Sequence, residues 1–285
     1  MMRTDLAKEA MRTFPELSGV TEQIETEDGM ETAIVSVKTR QAAARLDKPI
    51  GTYISVTLPE DGLTDRSQRG RCAKVCAKYL ETLLPQEGEL LIIGLGNRYI
   101  TADALGTKTA ESVLVTRHLF GTFSDLLPHS TRCVSAFCTG VLGVTGMETI
   151  EVVSALTHKI RPNGVVVIDS LAAGEIAHLG TVLQMNDTGI SPGAGIGNFQ
   201  PSLNKRSLGV PVIAIGMPLV VSAPALISEA SGMEEDDTRL DAVRTLCVTP
   251  KDIDLLVQNA SKLLSDTINL AVHQKNVGIL QNLLQ

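Results

Sequence analysis

The sequence predicts an α/β protein: a doubly wound, mostly parallel sheet flanked by helices, with an added N-terminal antiparallel β piece. Four apolar runs bounded by Gly, Pro or Asn indicate strands that are buried on both faces of a parallel sheet. Segments with helical periodicity separate these runs, as alternating β and α units require. The strand segments are ELLIIGLGN, RCVSAFCTG, NGVVVIDSLAAG and VPVIAIGMP, and two of the helical segments are TADALGTKTAESVLVTRHLF and METIEVVSALTHKIRP.

The N-terminal part of the chain has a different pattern. IETEDGMETAIVSVKT and KPIGTYISVTLP have the composition of extended strands, and Asp28-Gly29 in the first is a hairpin turn signal. We therefore expect residues 20–58 to form the added antiparallel region. Cys72 and Cys76 follow at a spacing of one helical turn, which favours the inner face of a helix.

The C-terminal part is predicted to be an exposed connection followed by helix. Residues 229–250 are acidic and poorly periodic, which is typical of an exposed segment. Thr249 can cap the C-terminal helical segment, residues 251–285, with Pro250 at its first position. Because 285 residues with 44% hydrophobic content can bury one large core, we expect residues 1–285 to form a single α/β domain.

Composition excludes several classes of function. The formal net charge is −7, so the surface as a whole should repel phosphate backbones, and direct nucleic-acid binding is not expected. Aromatic residues make up 3% of the chain and Trp is absent, which argues against a stacking platform for single strands. No uncharged apolar run reaches the ~18 residues of a membrane helix, and the start of the chain is charged where a signal peptide is apolar. The sequence thus predicts a cytoplasmic protein without a membrane partner.

The glycine-rich stretch LLIIGLGNRYITADALG resembles a nucleotide-binding turn but lacks its defining residues. After Gly94 and Gly96, a dinucleotide fingerprint needs a third glycine at position 99, where Tyr99 stands. A phosphate-binding Walker loop needs Lys and Ser/Thr after its second glycine, and these are missing at the required spacing. We therefore predict no cofactor, and treat Gly94, Gly96 and Asn97 as a supporting loop that leads to Asp103.

Asp103 and Asp169 are the candidate catalytic residues. Asp103 follows the glycine loop, and Asp169 ends the apolar run VVVID. Because the carboxyl ends of parallel strands meet at one edge of a sheet, the two side chains could converge on one crevice. Two close carboxylates do not both ionise easily, so one can act as a base toward water while the other donates a proton. Each could instead cap a helix: Asp103 the helix it precedes, and Asp169 a helix from Leu171.

A third acid, Asp187, lies before Gly189 in the Gly-rich segment QMNDTGISPGAGIGN. We assign both residues to a supporting loop, where Asp187 is either a turn residue, which we favour, or part of a loop of backbone N–H donors. No metal site is predicted. His118 is the nearest candidate ligand, and it would lie about four helical turns from Asp103 on a continuous helix, too far to share an ion.

Several long motifs resemble the germination protease family of spore-forming Firmicutes. They are GLGNRYITADALGTKTAESVLVTRHL, GVLGVTGMET, VVVIDSLAA, QMNDTGISPGAGIGN and LGVPVIAIGMPLVV, and RTDLAKEA at residues 3–10 resembles the start of that family's mature enzyme. The resemblance implies an atypical aspartic endopeptidase that begins the degradation of small acid-soluble spore proteins at germination. It also implies a fold related to hydrogenase maturation endopeptidases, catalytic aspartates at Asp103 and Asp169, a homotetramer, and a location in the forespore or spore core.

The resemblance further implies a zymogen, because family members carry a propeptide ahead of the RTDLA-like segment. Here Met1 and Met2 alone precede Arg3, so either the true start lies upstream or the chain is made without a propeptide. We favour a chain at or near its mature end that is active without processing. Two other functions stay open. One is a metal-dependent maturation-type peptidase of the same fold, and the other is a non-enzymatic module that binds a small anion in the glycine loop.

Overall fold

The computed structural model describes residues 4–193 and 201–284. Predictions about residues 1–3 and 194–200 lie outside the described residues. Of the helices described, none is both long and apolar enough to cross a membrane. The strands are β1 (Val20–Glu27), β2 (Met30–Val37), β3 (Gly51–Thr57), β4 (Leu90–Gly94), β5 (Val134–Cys138), β6 (Gly164–Ala173), β7 (Val182–Asn186), β8 (Val212–Ser222) and β9 (Cys247–Val248). The helices are α1 (Ala7–Arg12), α2 (Arg40–Leu46), α3 (Arg66–Leu83), α4 (Leu105–Ala110), α5 (Leu119–Thr122), α6 (Leu142–Thr145), α7 (Thr149–Ile160), α8 (Lys205–Leu208), α9 (Ala223–Ser231), α10 (Ile253–His273) and α11 (Val277–Leu283).

Four strands form the parallel centre of the sheet, in the spatial order β8-β6-β4-β5. Along β4, Leu90 and Ile92 belong to the apolar core on one side, whereas Leu91 and Ile93 belong to the core on the other. Helices α3, α4 and α10 cover the first face, and α7 covers the second. Both faces are therefore buried, which explains why the strand is apolar at every position. The predicted α/β fold is confirmed.

The antiparallel part extends the same sheet beyond β8, in the order β1-β2-β3-β7-β8. The β1–β2 hairpin turns at Asp28 and Gly29, whose φ angles of 50° and 77° are those of a type I′ turn. The predicted N-terminal antiparallel strands are confirmed. Strand β7 joins the two parts of the sheet because it pairs with both β3 and β8. Its last residues, 184–186, belong to the segment that composition predicts to be a Gly-rich loop.

Cys72 and Cys76 are both fully buried on α3, as their spacing predicts. The continuous helix predicted after the glycine loop is wrong. A one-turn 3-10 helix at Thr101–Asp103 precedes α4, and the chain is irregular from there to α5. The backbone groups of residues 114–117 find tertiary partners instead: Leu114 N–H donates to the Asn269 side chain, and Thr116 N–H donates to the Val134 carbonyl. These bonds replace the helical ones that periodicity alone suggests.

The alternative in which Asp169 caps a helix from Leu171 is excluded, because β6 continues to Ala173. Strand β8 pairs with β6 along this extension, with an irregularity between Leu171 and Ala172. The N-terminal segment adds to it on the far side, where Asp5 N–H donates to the Ala172 carbonyl at 2.9 Å. Asp169 therefore lies within a strand and caps no helix.

The prediction that Thr249 caps the C-terminal helix is wrong, because the N-cap position is Asp252, three residues later. Helix α10 begins at Ile253, and the Thr249 hydroxyl donates to the Pro250 carbonyl at 3.4 Å instead of accepting from the helix. Residues 229–250 contain more structure than their composition suggests, since a 3-10 helix at Thr238–Val243 is followed by β9, which pairs with β8. This pairing brings Cys247 to the same edge of the sheet as Asp169.

Candidate active site

A cleft of about 810 Å³ opens at the carboxyl ends of β4 and β6. Asp103 and Asp169 both line it, together with the glycine loop after β4 and the loop after β5. Its position agrees with the general rule that ligands of open α/β sheets bind at this end of the strands. The two predicted aspartates therefore meet in one cavity, and their catalytic role stays a prediction.

Two glycines bring the chain from β4 into the site. A Cβ on Gly94 would lie 2.8 Å from the Cβ of Ala110, so only glycine lets α4 pack this closely on the strand. Gly96 has a φ of 91°, and a Cβ there would collide with the main-chain carbonyl of Asp103 and lie 2.9 Å from its Oδ1. The glycine loop thus folds back onto Asp103, which is a different use from cradling a nucleotide phosphate.

Asp103 is half-buried on the 3-10 turn that follows this loop. Its Oδ2 accepts the Asn97 N–H at 2.7 Å, so the side chain is held by the loop and caps no helix. Burial raises the pKa of Asp103 above its usual range, and the Asn97 N–H, which favours the charged form, opposes that rise. A carboxylate with one fixed donor and a water-accessible cleft in front of it is placed to act as a base.

Asp169 is the deeper of the two, with 6% of its surface exposed. It lies on the face of β6 that carries Val165 and Val167, because side chains alternate along a strand. Burial raises the pKa of Asp169 well above its usual range, the charge of Asp103 raises it further, and the charge of Asp5 adds to both. The Ser170 N–H donates to Oδ1 at 2.9 Å and opposes these effects. Asp169 is thus the member of the pair that holds a proton most readily.

The predicted supporting residue Asp187 lies away from the cleft lining. Its Oδ1 accepts the Thr52 N–H at 2.8 Å, which continues the pairing of β7 with β3. Gly189 has a φ of 79°, and a Cβ there would collide with the Leu203 carbonyl, so this position requires glycine for the contact with residues 201–204. Pro192 and Gly193 do reach the cleft, while the following residues, 194–200, lie outside the described part of the chain.

Sequence reasoning missed Asp5, which lines the same cleft. Its Oδ2 accepts the Ala172 N–H at 2.8 Å, and its own N–H donates to the Ala172 carbonyl. Asp5 precedes a short N-terminal helix and ends no predicted strand, so no local pattern marks it. The motif RTDLAKEA indicates only a terminus, and the contact with β6 is purely tertiary.

Within residues 4–193 and 201–284, one group of three side chains is close enough to share a metal ion: Glu9, Glu175 and His178. The buried Glu9 already accepts hydrogen bonds from His178 Nδ1 at 2.5 Å and from the backbone N–H groups of Gly174 and Glu175. Arg12 forms an ion pair with Glu175 at 2.9 Å, which disfavours a second cation. The existing hydrogen bonds of Glu9 and the Arg12–Glu175 ion pair therefore fit a structural network better than a metal site.

His118 is exposed at the start of α5 and does not line the cleft. The sequence places His118 and Asp103 on one continuous helix. That prediction is wrong, because the helix is broken after α4. Between α4 and His118 the chain is irregular, and its backbone bonds to β5 and to α10.

The chain is similar to known germination proteases along most of its length. A family model described as germination protease, Peptidase_A25, matches residues 1–233. Germination proteases of Clostridium perfringens strain 13 and of Caldanaerobacter subterraneus subsp. tengcongensis are 35% and 36% identical to this chain. These alignments cover 97% and 95% of this chain and 96% and 94% of the relatives. The germination protease of Bacillus pumilus is 30% identical over 96% of this chain and 94% of its own length.

Among solved structures, the chain is similar to the NiFe hydrogenase maturation protease HycI from Thermococcus kodakarensis KOD1. The TM-score is 0.40 and the sequence identity is 17%. The similarity covers 68% of this chain and 98% of the other.

Proposed function

This chain belongs to the germination protease family, and we propose that it is the endopeptidase that begins the degradation of small acid-soluble spore proteins at germination. A peptidase needs a way to activate water and to protonate the leaving amine. The observation that carries the proposal is the meeting of Asp103 and Asp169 in one cleft, with the charge of Asp103 acting on the buried Asp169.

In the proposed reaction the two carboxyls share one proton. Asp103, which is the more exposed, is the base: it takes a proton from a water molecule as the water oxygen forms a bond to the carbonyl carbon of the substrate. Asp169 gives its proton to the carbonyl oxygen, which becomes a hydroxyl of the tetrahedral intermediate. When the C–N bond breaks, the proton held by Asp103 passes to the amine, and Asp169 regains its proton from the collapsing hydroxyl. The pair returns to its starting state.

The cleft suits an extended peptide. Apolar side chains stand at its edge with much of their surface in water, including Ile100 at 55% and Leu142 at 46% exposed. A flexible chain can lay a few residues across such an edge, whereas a packed helix must first unfold. We therefore propose that the substrate is a small, flexible DNA-coating protein that can enter the cleft in an extended form.

We also propose that the enzyme works as a homotetramer in the forespore or spore core, as the sequence resemblance implies. Three apolar residues on or near β5 could be buried in a subunit interface. They are Phe137, Val144 and Met147, and each exposes two fifths or more of its surface. Light scattering on the purified protein measures the subunit number directly. A monomer at micromolar concentration would contradict this part of the proposal.

The function is tested by incubating the purified chain with a purified small acid-soluble spore protein and with a folded globular protein of similar size. We expect rapid cleavage of the first at few sites and none of the second, with and without a chelator. Equal cleavage of both would contradict the proposed substrate class. Loss of activity in the chelator would instead favour a metal-dependent peptidase, and absence of any cleavage would favour a binding module.

A further inference from the structure

The N-terminal segment before α1 is built into the wall of the candidate active site. The Lys48 ammonium donates to the Thr4 carbonyl at 2.8 Å, and the Gln184 side chain donates to the Asp5 carbonyl at 2.8 Å. The same Gln184 side chain accepts the Ala7 N–H at 2.8 Å. With the two bonds between Asp5 and Ala172, this segment is bonded to β6, to β7 and to Lys48.

A second anchor lies one turn further along, at Glu9. Its carboxylate is completely buried and accepts bonds from His178, from the Thr4 hydroxyl and from the backbone N–H of Gly174. Residues 172–178 are therefore tied to residues 4–9 at several points. Asp5 is held between these anchors, so its carboxylate cannot move far from the cleft that it lines.

We propose that Asp5 is a positioning residue of the catalytic pair: the N-terminal segment, bonded to Ala172, holds a third carboxylate in the wall of the cleft that Asp103 and Asp169 line. The inference rests on the proposed function for its effect on cleavage. The sequence predicts two carboxylates in this site, Asp103 and Asp169. Asp5, from the N-terminal segment, would be the third.

The physical argument is electrostatic. Oδ2 of Asp5 accepts the Ala172 N–H at 2.8 Å, so this carboxylate is held at the wall of the cleft. The charges of Asp5 and Asp103 both act on Asp169, which is too buried for water to screen either effect well. A like charge disfavours ionisation, so Asp5 delays the loss of the last proton from the pair.

Other titratable groups face the same region and limit the effect of Asp5 on the pair. The Lys48 ammonium is attracted to Asp5, Asp47 and Glu9, and therefore offsets part of the negative charge at the segment. Glu148, at the start of α7, and Cys247, on β9, also line the cleft. The charges that raise the pKa of Asp169 are nevertheless those of Asp103 and Asp5.

The test replaces Asp5 by Asn in the full chain, since an amide oxygen can still accept the Ala172 N–H while the charge is lost. The matched control is Asp47→Asn, because Asp47 is exposed, lies beside the same Lys48 and does not line the cleft of the pair. We expect the alkaline limb of the pH–rate profile for cleavage to move to lower pH in Asp5→Asn and to stay in place in Asp47→Asn.

Carboxyl-carbon NMR of Asp169 across the same pH range gives a second readout that needs no substrate. If this titration moves to lower pH in Asp5→Asn but neither protein cleaves, the proposed function fails and the role of Asp5 stands. If cleavage is normal in the wild type and neither the profile nor the titration moves, the role of Asp5 is overturned and the proposed function stands. A uniform loss of rate at every pH, without a displaced limb, would also overturn it, because that is the result of a merely structural residue.

Discussion

Asp103 follows strand β4, Asp169 lies within the neighbouring parallel strand β6, and the charge of Asp103 raises the pKa of the buried Asp169. The relationship depends on backbone geometry. Leu95 N–H donates to the Ile168 carbonyl at 2.9 Å, so the glycine loop begins directly beside Asp169. The loop then returns through Gly96 to place Asp103 over the same cleft.

Replacing Asp169 by Asn should stabilise the protein at neutral pH. The folded-state pKa of Asp169 is raised above its ordinary value, so folding binds a proton that the unfolded chain releases. Stability from this group is complete below the ordinary pKa of an aspartate and is lost as the pH rises toward the folded value. We expect the melting temperature of Asp169→Asn to exceed that of the wild type at pH 7 and the difference to shrink at pH 3.

Thermal melts at several pH values measure this difference. Asp187→Asn is a suitable comparison, because that carboxylate lies outside the cleft and bonds to the Thr52 N–H. If Asp169→Asn melts below the wild type at neutral pH, the ionised carboxylate is needed for stability and Asp169 does not hold the proton of the pair.

Gly96→Ala should damage the site more than its single methyl group suggests. The added Cβ would collide with the Asp103 carbonyl, and a φ of 91° is unfavourable for alanine. Backbone strain of this kind costs about 1–3 kcal/mol. We expect lower stability together with slower cleavage, because the loop that holds Asp103 must shift.

Denaturant unfolding and a cleavage assay on the same preparation measure both effects. The control is Gly70→Ala on α3, where a new Cβ meets nothing within 4 Å. The free energy of unfolding of Gly70→Ala should rise by up to about 1 kcal/mol, since glycine is less favourable than alanine inside a helix. If both variants behave alike, the glycine loop has no special link to Asp103.

Glu9→Gln should loosen the N-terminal segment. Burial by itself would raise the pKa of Glu9, but the bonds from His178, Thr4 and two backbone N–H groups outweigh burial and lower it. Because the folded pKa is depressed, this stabilisation is present above the ordinary pKa of a glutamate and is lost as the pH falls through the folded value. The variant should therefore be less stable than the wild type at pH 7, with a smaller difference in acid.

Amide hydrogen exchange locates the effect of Glu9→Gln. The amides of Leu6 and Ala7, which bond to Thr4 and Gln184, should exchange faster in the variant. Glu16→Gln changes an exposed side chain and should leave them protected. Unchanged protection in Glu9→Gln would mean that the segment is held without this carboxylate.

The sequence is sufficient for the centre of the fold, because strands buried on both faces are apolar at every position and the β1–β2 turn has its own signal in Asp28-Gly29. The apolar runs before Asp103 and Asp169 also predict that the two side chains share one cleft, which the structure shows, while their catalytic role stays a prediction. The helix over residues 101–120 is mispredicted because periodicity cannot show that Leu114 and Thr116 bond to α10 and β5. Their partners are distant in sequence.

The same limit explains Asp5 and β7. Asp5 enters the cleft only because residues 4–9 are tied to residues 172–178, and nothing in RTDLAKEA indicates that contact. Strand β7 is short and contains Gln184 and Asn186, which are polar for a buried strand but bond to the N-terminal segment and to Thr188. In both places tertiary hydrogen bonds, which no local pattern records, decide the structure.

The central claim is that Asp103 and Asp169 act as one unit on water, and the most direct measurement is cleavage of a purified small acid-soluble spore protein by Asp103→Asn, Asp169→Asn and the double variant in a chelator. Each single variant should lose ~10²–10⁴-fold in kcat/KM, the usual contribution of a general acid or base. Because groups that act together are not additive, the double variant should be little worse than either single one. Near wild-type cleavage by either single variant, with the fold intact, would contradict the claim.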